Sequence, residues 1–221
     1  MIEFRSVSKV FGKIVALRDI SFKIEDGEFV FIVGPSGAGK TTLFRLLVRE
    51  FLPTTGKIFI DNHDITTIPR SKVPDLRQRI GLVFQDYRLI YDRTISENVE
   101  VALAISSVPK KEWKSRIDHV LKLVGLSDRA NLFPSQLSGG ELQRAALARA
   151  VVINPSIIFA DEPTGNLDWE TSMTIVDLLV KINNEGKTIL VTTHNKALLE
   201  KMKKRVIELK DGRINKDYIH K

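Results

Sequence analysis

Residues 29–48 read FVFIVGPSGAGKTTLFRLLV, and the order of residue types in that stretch decides the fold. Phe29-Val30-Phe31-Ile32-Val33 is an unbroken apolar run of strand length, the pattern of a parallel strand buried on both faces. Leu43-Phe44-Arg45-Leu46-Leu47-Val48 reads as a helix. Between them lie Gly34, Pro35, Ser36, Gly37, Ala38, Gly39, Lys40 and Thr41, with Thr42 following, and four of these satisfy the pattern G-x-x-x-x-G-K-[ST]. Strand, glycine-rich loop and helix N-terminus in that order aim backbone N–H groups and the positive end of a helix dipole at an anion. Lys40 would reach the β- and γ-phosphates of a nucleotide, and the Thr41 hydroxyl would ligate Mg²⁺. The bland alternative is a glycine turn with a stray lysine, but at average composition the pattern matches somewhere in only about 1% of chains this long.

About a hundred residues on stands LSGGE, residues 137–141. Ser138 and Glu141 form the capping box S-x-x-E, and Leu142 to Val152 suits a helix, so the motif could be a helix start and nothing more. Capping does not account for Gly139 and Gly140. Each glycine inside a helix costs about 1 kcal/mol relative to alanine. Two bare N–H groups at a helix N-terminus are useful where something negative must approach.

With both motifs in place, the chain resembles the nucleotide-binding domains of ATP-binding cassette (ABC) proteins over nearly its whole length. The resemblance implies an α/β fold: a P-loop NTPase with a RecA-like core, an antiparallel β edge and a helical subdomain. It implies ATP and Mg²⁺ as cofactors and Mg-dependent ATP hydrolysis as the activity. Ile157-Ile158-Phe159-Ala160-Asp161-Glu162 is similar to the Walker B strand, which makes Asp161 a metal-side carboxylate and Glu162 the group that polarises water. Gln85 follows Gly81-Leu82-Val83-Phe84 where the family places its Q-loop glutamine, a metal contact and γ-phosphate sensor. Asn166-Leu167-Asp168 is similar to the D-loop, with Asp168 at the nucleotide. His194, after Thr188 to Thr192, is similar to the switch histidine that bonds the γ-phosphate. Phe11 stands where the family stacks an aromatic on adenine, and is equally a core aromatic beside a turn glycine. In the family LSGGE contacts nucleotide held by the opposite subunit, so Ser138, Gly139, Gly140 and Glu141 imply a head-to-tail homodimer on ATP binding.

The chemistry suits these types. Phosphoryl transfer to water needs charge neutralisation, an in-line water and little covalent help. Lys40, Thr41 and Asp161 would supply the first, Glu162 the second.

Residues 73–103, VPDLRQRIGLVFQDYRLIYDRTISENVEVAL, resemble the FtsE branch of the family, the ATPases of bacterial cell division. That branch implies an FtsX-like integral membrane protein as partner and an indirect link to cell-wall hydrolases at septation. Tyr87, Leu89, Ile90 and Tyr91 in this window either pack a helical subdomain onto the core or form a groove for a cytoplasmic helix of that partner. PTGNLD, residues 163–168, is shared with lipoprotein-release and macrolide-export relatives, so an ABC exporter ATPase is the alternative. A soluble cassette acting on nucleic acid or ribosomes is disfavoured.

Length and composition agree. The 221 residues suffice for a substantial core, and 43% are hydrophobic. With no cysteine, disulfides and thiolate metal sites are excluded. The sequence carries no apolar run of membrane-spanning length and no signal-peptide pattern, so a cytoplasmic location, peripheral to the membrane through a partner, is expected. The net charge of +7 would permit nucleic-acid binding, but apart from Lys110-Lys111 and residues 201–205 the basic residues are dispersed. A single domain is expected, with a core of residues 1–85 and 139–221 and a helical subdomain over about 86–138. Thr94-Ile95-Ser96-Glu97 caps one helix there, and Pro109 to Val124 gives another, ended by Gly125.

Overall fold

The computed structural model describes residues 1–219. It divides into two compact units: Met1–Arg77 together with the chain from Asn183 onward, and Gln78–Ile182.

The first unit holds an antiparallel sheet, order β2-β1-β4-β5, from β1 (Ile2–Phe11), β2 (Ile14–Ile24), β4 (Thr55–Ile60) and β5 (His63–Asp64). Alternation specifies its register. Ile2 and Phe4 on β1 and Phe22 and Ile24 on β2 are buried, and the directly paired Phe4 and Phe22 stack with ring centroids 4.7 Å apart. The same unit holds β3 (Phe29–Val33), β8 (Thr188–Thr193), β9 (Arg205–Lys210) and β10 (Arg213–Ile219). β3 lies between β8 and β9, parallel to both, and β10 runs antiparallel to β9. Flanked on both sides and covered on both faces, β3 has four of its five residues buried, as its unbroken apolar run requires. The helices α1 (Lys40–Leu47) and α7 (Lys196–Met202) follow β3 and β8.

The second unit contains the parallel pair β6 (Ile80–Phe84) and β7 (Ile157–Asp161), with α3 (Ile95–Ala104), α4 (Trp113–Leu123) and α5 (Gly139–Val151) between them in sequence. Residues 86–138 form no strand. α5 packs on β6, α3 and α4 through a buried face built from small side chains, Ala145, Ala146, Ala148 and Ala150, with Leu147 among them. The helix expected over Pro109 to Val124 starts later. Lys110–Glu112 is a 3₁₀ turn and α4 begins only at Trp113, whose indole Nε1 donates to the Val108 carbonyl at 3.0 Å. A short α2 (Val73–Gln78) precedes β6, and α6 (Trp169–Asn184) follows β7.

Candidate nucleotide site

In the first unit the loop after β3 is shaped by what surrounds it. A Cβ on Gly34 would lie 2.3 Å from the Leu209 carbonyl oxygen on β9, so no larger residue fits. Gly39, the N-cap of α1, takes φ 104°, which other residues rarely adopt. Lys40 Nζ folds back over the loop and donates to the carbonyl oxygens of Gly34 at 2.7 Å and Pro35 at 3.3 Å. Thr41 is exposed and Thr42 half-buried, while Leu43, Phe44, Leu46 and Leu47 on the other face of α1 are buried. Ser36 and Gly37 are exposed at the loop tip and Ala38 is buried, its N–H bonded to the Pro35 carbonyl at 3.1 Å.

His194 comes to the same place by strand register. Val33 pairs with Thr193 in the parallel β3–β8 ladder, so Gly34 and His194 leave neighbouring strands at one level. Gly34, Pro35 and His194 line one cleft of about 480 Å³, with Lys196, Glu200, Glu208 and Tyr218 on its other walls. Asn195 then caps α7, its Oδ1 accepting from the Leu198 N–H at 3.3 Å. Phe11 ends β1 with 38% of its surface exposed. Its ring meets Phe51 edge-on at 5.1 Å and carries the Lys9 ammonium 4.8 Å from its centroid.

The second unit gathers the carboxylates, Gln85 and the LSGGE motif. Phe84 pairs with Asp161 in the β6–β7 ladder, so Gln85 and Glu162 are the first residues past adjacent strand ends. Glu162 sits at φ 48°, and its carbonyl accepts from the Gly165 N–H at 3.0 Å, closing a strained turn at the expected catalytic position. Gln85 Nε2 donates to Asn166 Oδ1 at 3.1 Å, which leaves the amide oxygen as the end available to a cation. Gly165 makes room for that side chain, since a Cβ there would lie 2.8 Å from Gln85 Nε2. Asp168 is engaged locally: its carboxylate accepts from Thr171 Oγ1 at 2.6 Å and the Thr171 N–H at 2.9 Å, capping α6 and holding its pKa below the usual carboxylate range.

The capping box at LSGGE forms as expected. Ser138 is the N-cap of α5, and Glu141 Oε2 accepts from the Ser138 N–H at 2.9 Å and Oγ at 2.8 Å. Arg129 Nε adds a bond to Glu141 Oε1 at 3.1 Å. The backbone N–H bond first, then the hydroxyl and Arg129, pull the Glu141 carboxyl down to about 2. The glycines prove to have a packing reason as well. Gly140 is buried, and a Cβ on it would lie 2.4 Å from Thr171 Cγ2; one on Gly139 would lie 3.1 Å from the Tyr87 hydroxyl.

Tyr87 belongs to the loop for which the sequence leaves both packing and a partner groove open. Tyr87 and Arg88 both adopt left-handed backbone, φ 59° and 50°, at a cost of about 1–2 kcal/mol per residue. Arg149 of α5 holds them there: Nη1 donates to the Arg88 carbonyl at 2.6 Å and Nη2 to the Tyr87 carbonyl at 2.9 Å. Burial, then the neighbouring Arg88, push the Arg149 pKa down. Asn98, fully buried on α3, holds the rest of the loop through bonds to the Ile90 N–H and the carbonyls of Ile90, Arg93 and Thr94. Within the window Leu89 is buried and Tyr87 half-buried, whereas Ile90 and Tyr91 are 38% and 59% exposed. Leu89 therefore belongs to the packing, and only Ile90 and Tyr91 offer a face. Gly165, Arg149 and Asn98 were not singled out from sequence. The glycine of PTGNLD signals the first, but nothing local signals the other two.

The described residues contain no cluster of three or more His, Cys, Asp or Glu able to hold a metal by themselves. The second unit offers instead the Asp161 carboxylate and the Gln85 amide oxygen, carried at adjacent strand ends. Hard oxygen donors of this kind suit Mg²⁺, which takes one or two carboxylates and completes its shell with water and phosphate oxygens.

Residues 17–165 match the family profile "ABC transporter". The chain belongs to the ABC transporter family. Within it, this cassette is 47% identical to the cell division ATP-binding protein FtsE of Bacillus subtilis over 218 residues, 98% of this chain and 96% of that one. It is 43% identical to FtsE of Escherichia coli K12 over 97% of each chain. Among solved structures, the dimeric bacterial ABC transporter cassette MJ0796 superposes with a TM-score of 0.89 at 38% identity, covering 100% of this cassette and 99% of that one. A post-hydrolysis dimer of the same protein bound to ADP and Pi superposes with a TM-score of 0.88. The α/β cassette fold expected from the sequence is thus the fold of this chain.

Proposed function

We propose that this chain is the ATP-hydrolysing subunit of an FtsEX-like cell-division complex, held at the cytoplasmic face of a bacterial membrane by an FtsX-like integral membrane protein. The observation that carries this reading is the near-full-length likeness to FtsE proteins at 43–47% identity, in a chain whose Walker A, Walker B and LSGGE residues are all present. No helix among the described residues is long and apolar enough to cross a membrane, so attachment through a partner is required by the proposal.

In this reading the Walker A loop wraps the phosphates. The Lys40 ammonium, resting on two loop carbonyls, exchanges them for phosphate oxygens, because a hydrogen bond between two charged groups is the stronger one. Thr41, Asp161 and Gln85 hold Mg²⁺, which when bound neutralises charge on the phosphates. Glu162 orients and polarises the attacking water, and His194 donates to the γ-phosphate. Ser138, Gly139 and Gly140 complete the site of a second copy, so ATP joins a homodimer and hydrolysis releases it. Ile90 and Tyr91, five and six residues past Gln85 on the same loop, form the face that receives a cytoplasmic helix of the membrane partner. Cycling of ATP is transmitted by that contact, through the partner, to cell-wall hydrolases.

The test is to trap Glu162→Gln with ATP in its native membrane, solubilise it gently and identify what copurifies by mass spectrometry. A membrane protein of few spans with a large extracytoplasmic domain supports the reading. A permease with a substrate cavity makes this an exporter or lipoprotein-release ATPase, and the absence of any membrane protein overturns membrane attachment.

A further inference from the structure

One residue outside every motif holds the loop that carries the γ-phosphate sensor. The chain past Gln85 turns sharply: the Tyr87 N–H bonds the Phe84 carbonyl at 3.3 Å, the Arg88 N–H bonds the Asp86 carbonyl at 2.6 Å, and the Arg88 guanidinium lies 3.7 Å from the centroid of the Phe84 ring. That turn needs two consecutive left-handed residues, neither of them glycine. Both of their carbonyls are taken by the two arms of the Arg149 guanidinium, a rigid planar fork that a lysine ammonium cannot reproduce. Tyr87 meanwhile reaches the other end of the same helix. Its hydroxyl occupies the space beside Gly139, the first residue of α5, while its carbonyl is held by Arg149 in the last turn. Tyr87 thus lies along α5: Arg149 bonds the loop that presents Gln85 to the last turn of the helix, and the Tyr87 hydroxyl packs beside Gly139 at its start.

We propose that Arg149 is a positioning residue for ATP turnover: by holding Tyr87 and Arg88 in the left-handed conformation it fixes how the chain delivers Gln85, and through Tyr87 it makes Gln85 and Gly139 move as one body. The proposal rests on the ATPase reading above. Arg149 touches no phosphate, so nucleotide affinity, set by the Walker A loop, is unaffected by its loss; what suffers is the fraction of bound complexes with Gln85 correctly aimed. That is a kcat effect rather than a KM effect.

The experiment measures steady-state Mg-ATP hydrolysis and thermal unfolding of the full chain for wild type, Arg149→Lys, Arg88→Gly and the double variant. Arg149→Lys is expected to lower kcat about tenfold with KM within about twofold. Arg88→Gly alone retains near wild-type turnover. The double variant recovers at least half of the lost kcat, since glycine adopts positive φ without the guanidinium. Wild-type kcat in Arg149→Lys overturns the proposal, and so does a loss that follows the unfolding temperature and is not rescued by glycine. Should Arg149→Lys fail to fold, Tyr87→Phe, which removes only the hydroxyl beside Gly139, decides: a several-fold fall in kcat at unchanged unfolding temperature supports the proposal, and unchanged kcat overturns it. A wild-type chain without ATPase activity would overturn the underlying reading itself, an outcome distinct from an active wild type indifferent to Arg149.

Discussion

Gln85 and Glu162 stand one residue beyond the paired Phe84 and Asp161, side by side at the ends of parallel strands. Strand register thereby sets at one level the two groups that the proposed mechanism uses as metal-side amide and water-polarising carboxylate, with no loop needed to bring them together. Glu162→Gln keeps the size of the side chain and removes its basicity. Turnover is expected to fall by about 10²–10⁴-fold, the range of general-base catalysis, while ATP binding survives and the ATP-bound dimer lives longer. Phosphate release and gel filtration with ATP check this; normal hydrolysis by the variant excludes Glu162 as the base.

Gly140 distinguishes packing from phosphate approach. In Gly140→Ala the added methyl meets Thr171 Cγ2, and a loss of about 1–3 kcal/mol is expected, as for other overpacked sites. Thr171→Ser removes that methyl and keeps the hydroxyl that bonds Asp168. The pair should regain stability in urea unfolding. If the doubly substituted chain is stable and still dimerises on ATP, Gly140 serves packing alone.

Acid should reveal the capping box. The Glu141 carboxyl sits at about 2 in the folded chain against an ordinary 4.5, so its contribution is complete above about pH 4.5 and is lost as pH falls toward about 2. Because the carboxylate is partly open to solvent at the helix start, the effect is modest. Glu141→Gln keeps an acceptor for the Ser138 N–H and removes the titration. Its unfolding temperature should show a shallower fall than wild type between pH 4.5 and 3, and parallel curves would contradict the assignment.

Gln143 is fully buried on α5, and neither of its amide atoms has a hydrogen-bond partner among the described residues. A buried amide in that state costs about 1–3 kcal/mol. Gln143→Met preserves length and removes the polar atoms, and is expected to raise stability by roughly 1 kcal/mol in urea unfolding. A destabilised variant would mean that the amide has a partner in the working protein.

Ile90 and Tyr91 carry the partner face in the proposed complex. Substituting both with Asp should abolish recovery of the chain with membranes and leave Mg-ATP hydrolysis within about twofold, because neither side chain is buried in the core. Leu89 is unsuitable for this test, since it is 7% exposed and its replacement would injure the fold.

What could be read from sequence was whatever is local. The Walker A strand, loop and helix follow one another in the chain, and the capping boxes at Thr94 and Ser138 need only residues three apart, so both appear as read. The packing role of Gly140 could not be read, because Thr171 lies 31 positions away and only the fold brings its methyl there. The same holds for Arg149, whose partners Tyr87 and Arg88 are 62 and 61 positions distant. Leu89 looked like its exposed neighbours because an irregular loop has no period from which to infer a face.

Asn98 gives this loop a property that its irregular shape conceals. One buried amide fixes the backbone from Ile90 to Thr94 without help from the side chains of Ile90 or Tyr91. Frame and lining are therefore separable: in the proposed complex the lining can be rewritten to suit a different membrane protein while the frame stays as it is. A cassette built this way can change clients in evolution by surface substitution alone.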